Sequence, residues 1–170
     1  MELRVLREDD RAEFVRVMEL SEALHRPWMP LRPAGSTFEG LFARQLLAME
    51  HGLSWKGVLV SDDDRIAGCF NLNEIVRGPL QSAYAGWSIN AEVAGRGLAT
   101  EGVRRLLDVA FGKQRLHRVQ ANIIPRNAAS VRVAQKVGFR LEGRALRYLQ
   151  IAGEWEDHDM FALTAEEWRG

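Results

Sequence analysis

The run Gly95-Arg96-Gly97-Leu98-Ala99-Thr100 carries the sharpest chemical signal in this sequence. Two glycines let the backbone turn without a Cβ clash and let a ligand approach closely. A helical pattern begins directly behind them. The first turn of a helix has N–H groups without partners, and its aligned peptide dipoles add partial positive charge there. A pyrophosphate fits such a place. A plain strand-to-helix turn uses the same residues, so the run alone leaves both readings open. A P-loop would need Gly-Lys-Ser/Thr, which is absent. A dinucleotide fingerprint would need a third small residue where Thr100 stands and an acidic residue closing the next strand. That strand instead ends Ile124-Pro125-Arg126-Asn127.

Other residues could move protons or line a pocket. Glu74, Glu101, Glu142 and Asp157 are candidate bases, acting directly or through water. Glu101 falls in the first helical turn after the glycines, where a carboxylate also stabilises the dipole. Asp157 and His158 can equally be polar residues on the outer face of the last strand. Asn127 reads as a helix N-cap with Ser130 in the first turn. Trp28, Phe70, Trp87 and Tyr148 are candidate pocket aromatics, and each is also an ordinary core residue. Trp28 stands out because Pro27, Pro30 and Pro33 stiffen its loop. Cys69, the only cysteine, lies on an apolar run and reads as core filler. No Cys/His cluster suggests a metal.

The elements that must position these residues can be read from periodicity. Leu3 and Val5 alternate with polar neighbours, which predicts a first strand. Asp9 or Asp10 caps a helix to about Leu24, and the proline loop follows. Ser36 or Thr37 caps a second helix that Gly52 ends. Strands at about 54–61 and 65–76 flank the turn Asp62-Asp63-Asp64. A strand from Tyr84 to Asn90, a helix from Gly97 to about Lys113 and a strand from Val119 to Ile123 follow. A short helix from Asn127 ends near Gly138. Phe139–Ile151 and Glu154–Leu163 form a final hairpin around Ala152-Gly153. This order predicts an α/β domain spanning 1–170, with a mixed sheet and helices on its faces.

Composition narrows the function classes. The 170 residues suit one domain with one core, and 46% hydrophobic with 27% charged content is ordinary for a globular protein. Lys plus Arg number 23, as do Asp plus Glu, which gives no support to direct nucleic-acid binding through phosphate contacts. A lone cysteine forms no intrachain disulfide and fits a reducing compartment. No apolar signal segment opens the chain, and no membrane-length apolar run occurs. A cytoplasmic protein is expected. Oligomeric state is not fixed by these features.

Several fragments resemble one family. Gly97 and Ala99 match the last fixed positions of the pyrophosphate motif Gln/Arg-x-x-Gly-x-Gly/Ala of the GNAT (Gcn5-related) N-acetyltransferase superfamily. Ala94 departs from its first position. Arg26-Pro27-Trp28-Met29-Pro30, Ile75-Val76-Arg77-Gly78, Asn127-Ala128-Ala129-Ser130, Gly138-Phe139, Glu142-Gly143 and Trp155-x-Asp157-His158 resemble, in order, segments of the RimJ/RimL group, its RimJ-like members most closely.

The resemblance implies a GNAT fold: a mixed, mostly antiparallel sheet of about seven strands, splayed between the fourth and fifth, with about four helices. It implies acetyl-CoA as co-substrate, with pantetheine pairing to backbone near Ile89, Asn90 and Ala91. The pyrophosphate would rest on the amides of Gly95 to Thr100, Arg96 adding a contact, and Asn127 and Ser130 would touch the coenzyme. It also implies a protein N-terminus, that of a ribosomal protein, as acceptor. A small-molecule amine acetyltransferase and a coenzyme-binding module with little catalysis are the alternatives. Two family groups are missing. Asn122 stands where some N-terminal acetyltransferases carry a basic Glu, and Ala134 where many carry an acidic Tyr. Ser130 then remains as the match to a RimL-like acid. An α-amino group is roughly 10–20% neutral near physiological pH, whereas lysine is neutral in under about one part in a thousand. An enzyme without a strong base therefore handles an N-terminus more easily.

Overall fold

The protein is described here as a computed structural model covering residues 1–30 and 35–170. Pro33, named above for the stiffened loop, lies outside the described residues. Seven strands join one sheet in the order β1-β2-β3-β4-β5-β7-β6. They are β1 (Glu2–Val5), β2 (Trp55–Val60), β3 (Ile66–Val76), β4 (Ser82–Ile89), β5 (Arg118–Ile123), β6 (Arg140–Ile151) and β7 (Glu154–Thr164). Neighbours are antiparallel except β4 and β5, which run parallel. β2 is buried along its whole length, as a strand covered on both faces must be. β5 alternates, with Val119, Ala121 and Ile123 turned inward.

Among the described residues five helices accompany the sheet: α1 (Arg11–Leu20), α2 (Glu22–His25), α3 (Phe38–Glu50), α4 (Leu98–Asp108) and α5 (Ala128–Lys136). Thr37 caps α3, its hydroxyl accepting the Gly40 N–H at 3.0 Å. The one helix expected up to Leu24 is two, which is why the helices number five and not about four. The chain tightens at Ser21, whose buried hydroxyl accepts the Ala91 N–H at 3.0 Å. The long helix expected up to Lys113 is α4 followed by a wider π turn, Val109–Lys113. Ala152 and Gly153 adopt positive φ in the tip of the β6–β7 hairpin, the conformation a two-residue turn requires.

Apolar clusters form on both sheet faces. α4 and α5 cover Leu59, Phe70, Leu72, Val119 and Phe161. α1 and α3 cover Val58, Val60, Ile66 and Cys69. Adjacent Val58 and Leu59 fall in different clusters because successive side chains on a strand point to opposite faces. Cys69 is core filler, and burial pushes its thiol up to about 12. A group so rarely ionised offers no thiolate nucleophile.

The feature that matters most for a site is where the sheet parts. β4 and β5 pair at Ser82–Arg118, Ala83–Val119 and Tyr84–Gln120, and there the pairing stops. β4 continues on β3 as far as Ile89, and β5 continues on β7 as far as Ile123. The two strands diverge into a wedge, as expected. Among the described residues no helix is long and apolar enough to cross a membrane, and no group of three or more His, Cys, Asp or Glu could hold a metal.

Candidate functional site

A cleft of about 620 Å³ occupies the wedge and is lined by residues from both faces of the sheet. On the α4–α5 face it is bounded by Trp87, Ile89 and the loop entering α4. Gly95 and Gly97 both have φ of 81°, and an added Cβ at either would meet nothing within 4 Å. Glycine is needed there for its left-handed backbone and not for lack of space. Gly97 caps α4 without a side chain. Its carbonyl accepts the N–H of Thr100 at 3.1 Å and of Glu101 at 3.4 Å. The N–H groups of Leu98 and Ala99 have no partner among the described residues and sit at the positive end of the helix.

Helix α5 forms the opposite bank. Asn127 caps it by accepting the Ser130 N–H at 3.2 Å. Asn127, Ala129, Ser130, Arg132, Val133 and Lys136 all line the cleft. Positions 129, 132, 133 and 136 are one helical face by their spacing. Arg132 and Lys136 form no ion pair among the described residues, so two cations flank the amide-rich loop. Sequence reasoning missed them, although the i, i+4 spacing behind Asn127 was legible.

The expected backbone contacts need correcting. The Asn90 N–H donates to the Ala67 carbonyl at 2.8 Å, and the Ala91 N–H to Ser21. Neither residue lines the cleft. Backbone groups alternate in direction along a strand, so Asn90 faces β3 while Trp87 and Ile89 face the wedge. The His25 Nε2 lies 2.9 Å from the Ile89 carbonyl, on that wedge side. Since a carbonyl only accepts, Nε2 carries the hydrogen. Burial lowers the pKa of His25, opposed by this bond.

The second side of the cleft lies on the face that carries α1 to α3. Leu24, His25, Trp28, Met29, Asn71, Asn73, Asn122 and His158 line it. Trp28 is strapped in place: the Arg126 guanidinium lies 4.9 Å from its ring centre, while Arg126 also pairs with Glu156 and reaches the Pro27 carbonyl. The buried Asn71 Oδ1 has no hydrogen-bond partner among the described residues. Trp87 lines the cleft from the α4 side. Phe70 does not line it. It is 0% exposed beneath α4, where a Cβ on Gly102 would come within 2.0 Å of its ring. Tyr148 stands behind the wall, its hydroxyl accepting the Asn122 Nδ2–H at 3.0 Å. Burial, with Tyr84 nearby, raises its pKa.

The four candidate carboxylates are all elsewhere. Glu101 is turned outward and paired with Arg105 at 2.9 Å. Glu142 is held down to about 2 by Arg118 beside it and pairs with Arg140 as well. Asp157 accepts the Arg147 N–H at 2.9 Å. Glu74 sits at a bulge in β3 with φ of 49°. Arg96 is exposed and off the cleft. His158, read above as an outer-face polar residue, is instead 3% exposed and turned inward.

Residues 1–140 match the family described as "Acetyltransferase (GNAT) domain". The Bacillus subtilis (strain 168) protein described as "Probable N-acetyltransferase YjcK" is 42% identical over 63% of this chain. That match spans 59% of YjcK, less than two thirds of its length. The Escherichia coli (strain K12) [ribosomal protein uS5]-alanine N-acetyltransferase is 32% identical, over 84% of this chain and 76% of that one. Mycobacterium smegmatis RimJ, solved in complex with CoA-disulfide, superposes with a TM-score of 0.89 at 30% identity, covering 99% of this chain and 83% of RimJ. Vibrio cholerae spermidine N-acetyltransferase, solved with CoA and spermine, has the same fold, with a TM-score of 0.84 at 21% identity over 98% and 96% of the two chains.

Proposed function

The chain belongs to the GNAT acetyltransferase family, and from that premise we propose that it moves an acetyl group from acetyl-CoA to the N-terminal α-amino group of a ribosomal protein. The observation that carries this reading is the two-sided lining of the cleft. Its α4–α5 side offers unpaired amides and two cations. Its α1–α3 side offers aromatic and amide side chains, and no Asp or Glu is among the described residues that line it.

The donor side suits coenzyme A. The Leu98 and Ala99 amides at the head of α4 fit a pyrophosphate, and Arg132 and Lys136 fit further phosphate charge. Wedge-facing backbone at Trp87 and Ile89 fits the amide groups of pantetheine, which would then run along β4 like an added strand. Asn127 and Ser130 stand where the chain of α5 meets that path. The Ser130 hydroxyl is suited to hydrogen-bond the departing sulfur.

The acceptor side suits one modest positive charge. A polyamine carries several ammonium groups and calls for carboxylates to meet them, which the described lining lacks. An α-amino group needs only about 1 kcal/mol to become neutral near physiological pH, against about 4 kcal/mol for lysine. The strapped Trp28 gives the side chain that follows such a group an apolar wall. The name of the Escherichia coli relative supports a ribosomal protein as the source.

The test is a competition read by mass spectrometry. The protein and acetyl-CoA are mixed with an unacetylated peptide from the alanine-starting N-terminus of ribosomal protein uS5, with spermidine and with free amino acids. The expected result is acetylation of the peptide α-amine at a kcat/KM at least tenfold above any small amine. A preference for spermidine or an amino acid overturns the acceptor assignment, and no transfer at all overturns the activity.

A further inference from the structure

An amine that attacks a thioester must lose a proton as its C–N bond forms, and none of the four candidate carboxylates lines the cleft. Two histidines line it among the described residues, and the free Nδ1 of His25 is sealed from the cleft, which leaves His158. The His158 Nδ1 lies 3.0 Å from the Glu156 carbonyl. A carbonyl only accepts, so Nδ1 carries the hydrogen and Nε2 is left with its lone pair. That nitrogen makes no hydrogen bond among the described residues, yet it is not among the sealed polar atoms that lack a partner. Its ring is 97% hidden and borders the cleft, so the cleft is its route to solvent.

The ring is also held still. Its partner across the β6–β7 ladder is Ala145, and the Tyr148 ring tilts against it at 5.4 Å. Asn122, whose amide donates to the Tyr148 hydroxyl, lines the same side of the cleft. On the far side stands the Trp28 loop, tied to β7 through Arg126 and Glu156. A nitrogen with a fixed tautomer, a fixed ring and an open lone pair meets the geometric requirements for a general base.

We propose that His158 is the catalytic base of the acetyl transfer, its Nε2 taking the proton of the attacking amine. The role rests on the acetyl-transfer reading above. The amine nitrogen bonds to the acetyl carbonyl carbon, and the carbon–sulfur bond breaks with its electron pair going to sulfur. The amine proton passes to Nε2, and the imidazolium returns it, directly or through water, to the coenzyme thiolate. Amide and thiol are the products, and His158 ends neutral, ready for another cycle. The ionisable groups around it are Tyr148 on β6, with Tyr84 and Glu74 near that phenol, His25 across the cleft, the Arg126–Glu156 pair, Asp157 on the Arg147 N–H, and Asp159 with Arg144.

The test uses the full chain, acetyl-CoA and the uS5 peptide. His158→Asn keeps an N–H for the Glu156 carbonyl and deletes Nε2. The expected result is a fall in kcat/KM for the peptide of about 100-fold, carried by kcat and not by KM. Acetyl-CoA affinity by calorimetry and the melting temperature should match wild type. Imidazole nitrogen NMR on the wild-type protein reads the tautomer independently, and Nδ1–H is expected. An active wild type beside an equally active His158→Asn, or a loss carried by KM alone, overturns the base role and leaves acetyl transfer standing. A loss traced to acetyl-CoA affinity also overturns it. A wild type that acetylates no amine overturns both readings together. Should His158→Asn fail to fold, His158→Gln and the nitrogen spectrum decide, an Nε2–H tautomer being the contrary result.

Discussion

Lys56 lies on β2, on the strand face shared with Val58 and Val60, and its ammonium donates to the side-chain Oδ1 of Asn73. Burial drives its pKa from the ordinary 10.5 down to about 8, with Cys69 opposing slightly. The folded state therefore binds fewer protons than the unfolded chain between pH 8 and 10.5. Stability should rise with pH across that window, and the full penalty applies below it. The size is of order 3 kcal/mol at most, at about 1.4 kcal/mol per unit. Lys56→Met should raise unfolding free energy in urea at pH 7 by about 1–3 kcal/mol and flatten its alkaline rise. A less stable variant at pH 7 would show that the Asn73 bond outweighs desolvation. Asn73 lines the cleft, so a lysine kept at that cost bears on the site more than on the core.

Helix α4 is pressed against the sheet at one point, where Gly102 lies over the Phe70 ring. Gly102→Ala must push the helix outward or tilt the ring, and overpacking of this kind typically costs 1–3 kcal/mol. The head of α4 carries the Leu98 and Ala99 amides, so the shift should also raise the KM for acetyl-CoA several-fold with a smaller change in kcat. Thermal melts and steady-state kinetics check both. This contact also explains why Phe70 misled sequence reasoning. An aromatic under a helix and one lining a pocket look alike in sequence, and only the glycine that lands on Phe70 32 residues later distinguishes them. What was legible rests on local chemistry: the Thr37 cap, the Ala152-Gly153 turn, the Gly95–Ala99 loop and the Asn127 cap. What was not depends on distant partners. The break at Ser21 needs the Ala91 N–H, 70 residues away, to explain it. His158 is inward because the β6–β7 hairpin turns it so, which polar–apolar alternation around Asp157 concealed.

At the scale of the whole molecule, a sheet of seven strands is divided into two blocks, β1–β4 and β5–β7, with helices banked against each. The order of strands and the parallel seam follow from the connection through α4, which crosses from β4 to β5 as a parallel pair requires. The blocks are joined edge to edge over only three ladder positions, Ser82–Arg118 to Tyr84–Gln120. The missing rungs lie where the pantetheine arm is proposed to run. The donor would then act as a splint across the seam, and the folded state would become tied to donor supply. At a hundred times its Kd a ligand adds about 2.7 kcal/mol, or roughly 5–10 °C in a chain of this size. Amide hydrogen exchange should slow on adding coenzyme at 85–89 and 121–123 and stay unchanged in the β6–β7 tip; uniform slowing would mean the blocks already open as one. With the donor scarce, the joint between the blocks would be where such an enzyme first comes apart, so that its lifetime in the cell would record the supply of the substrate it consumes.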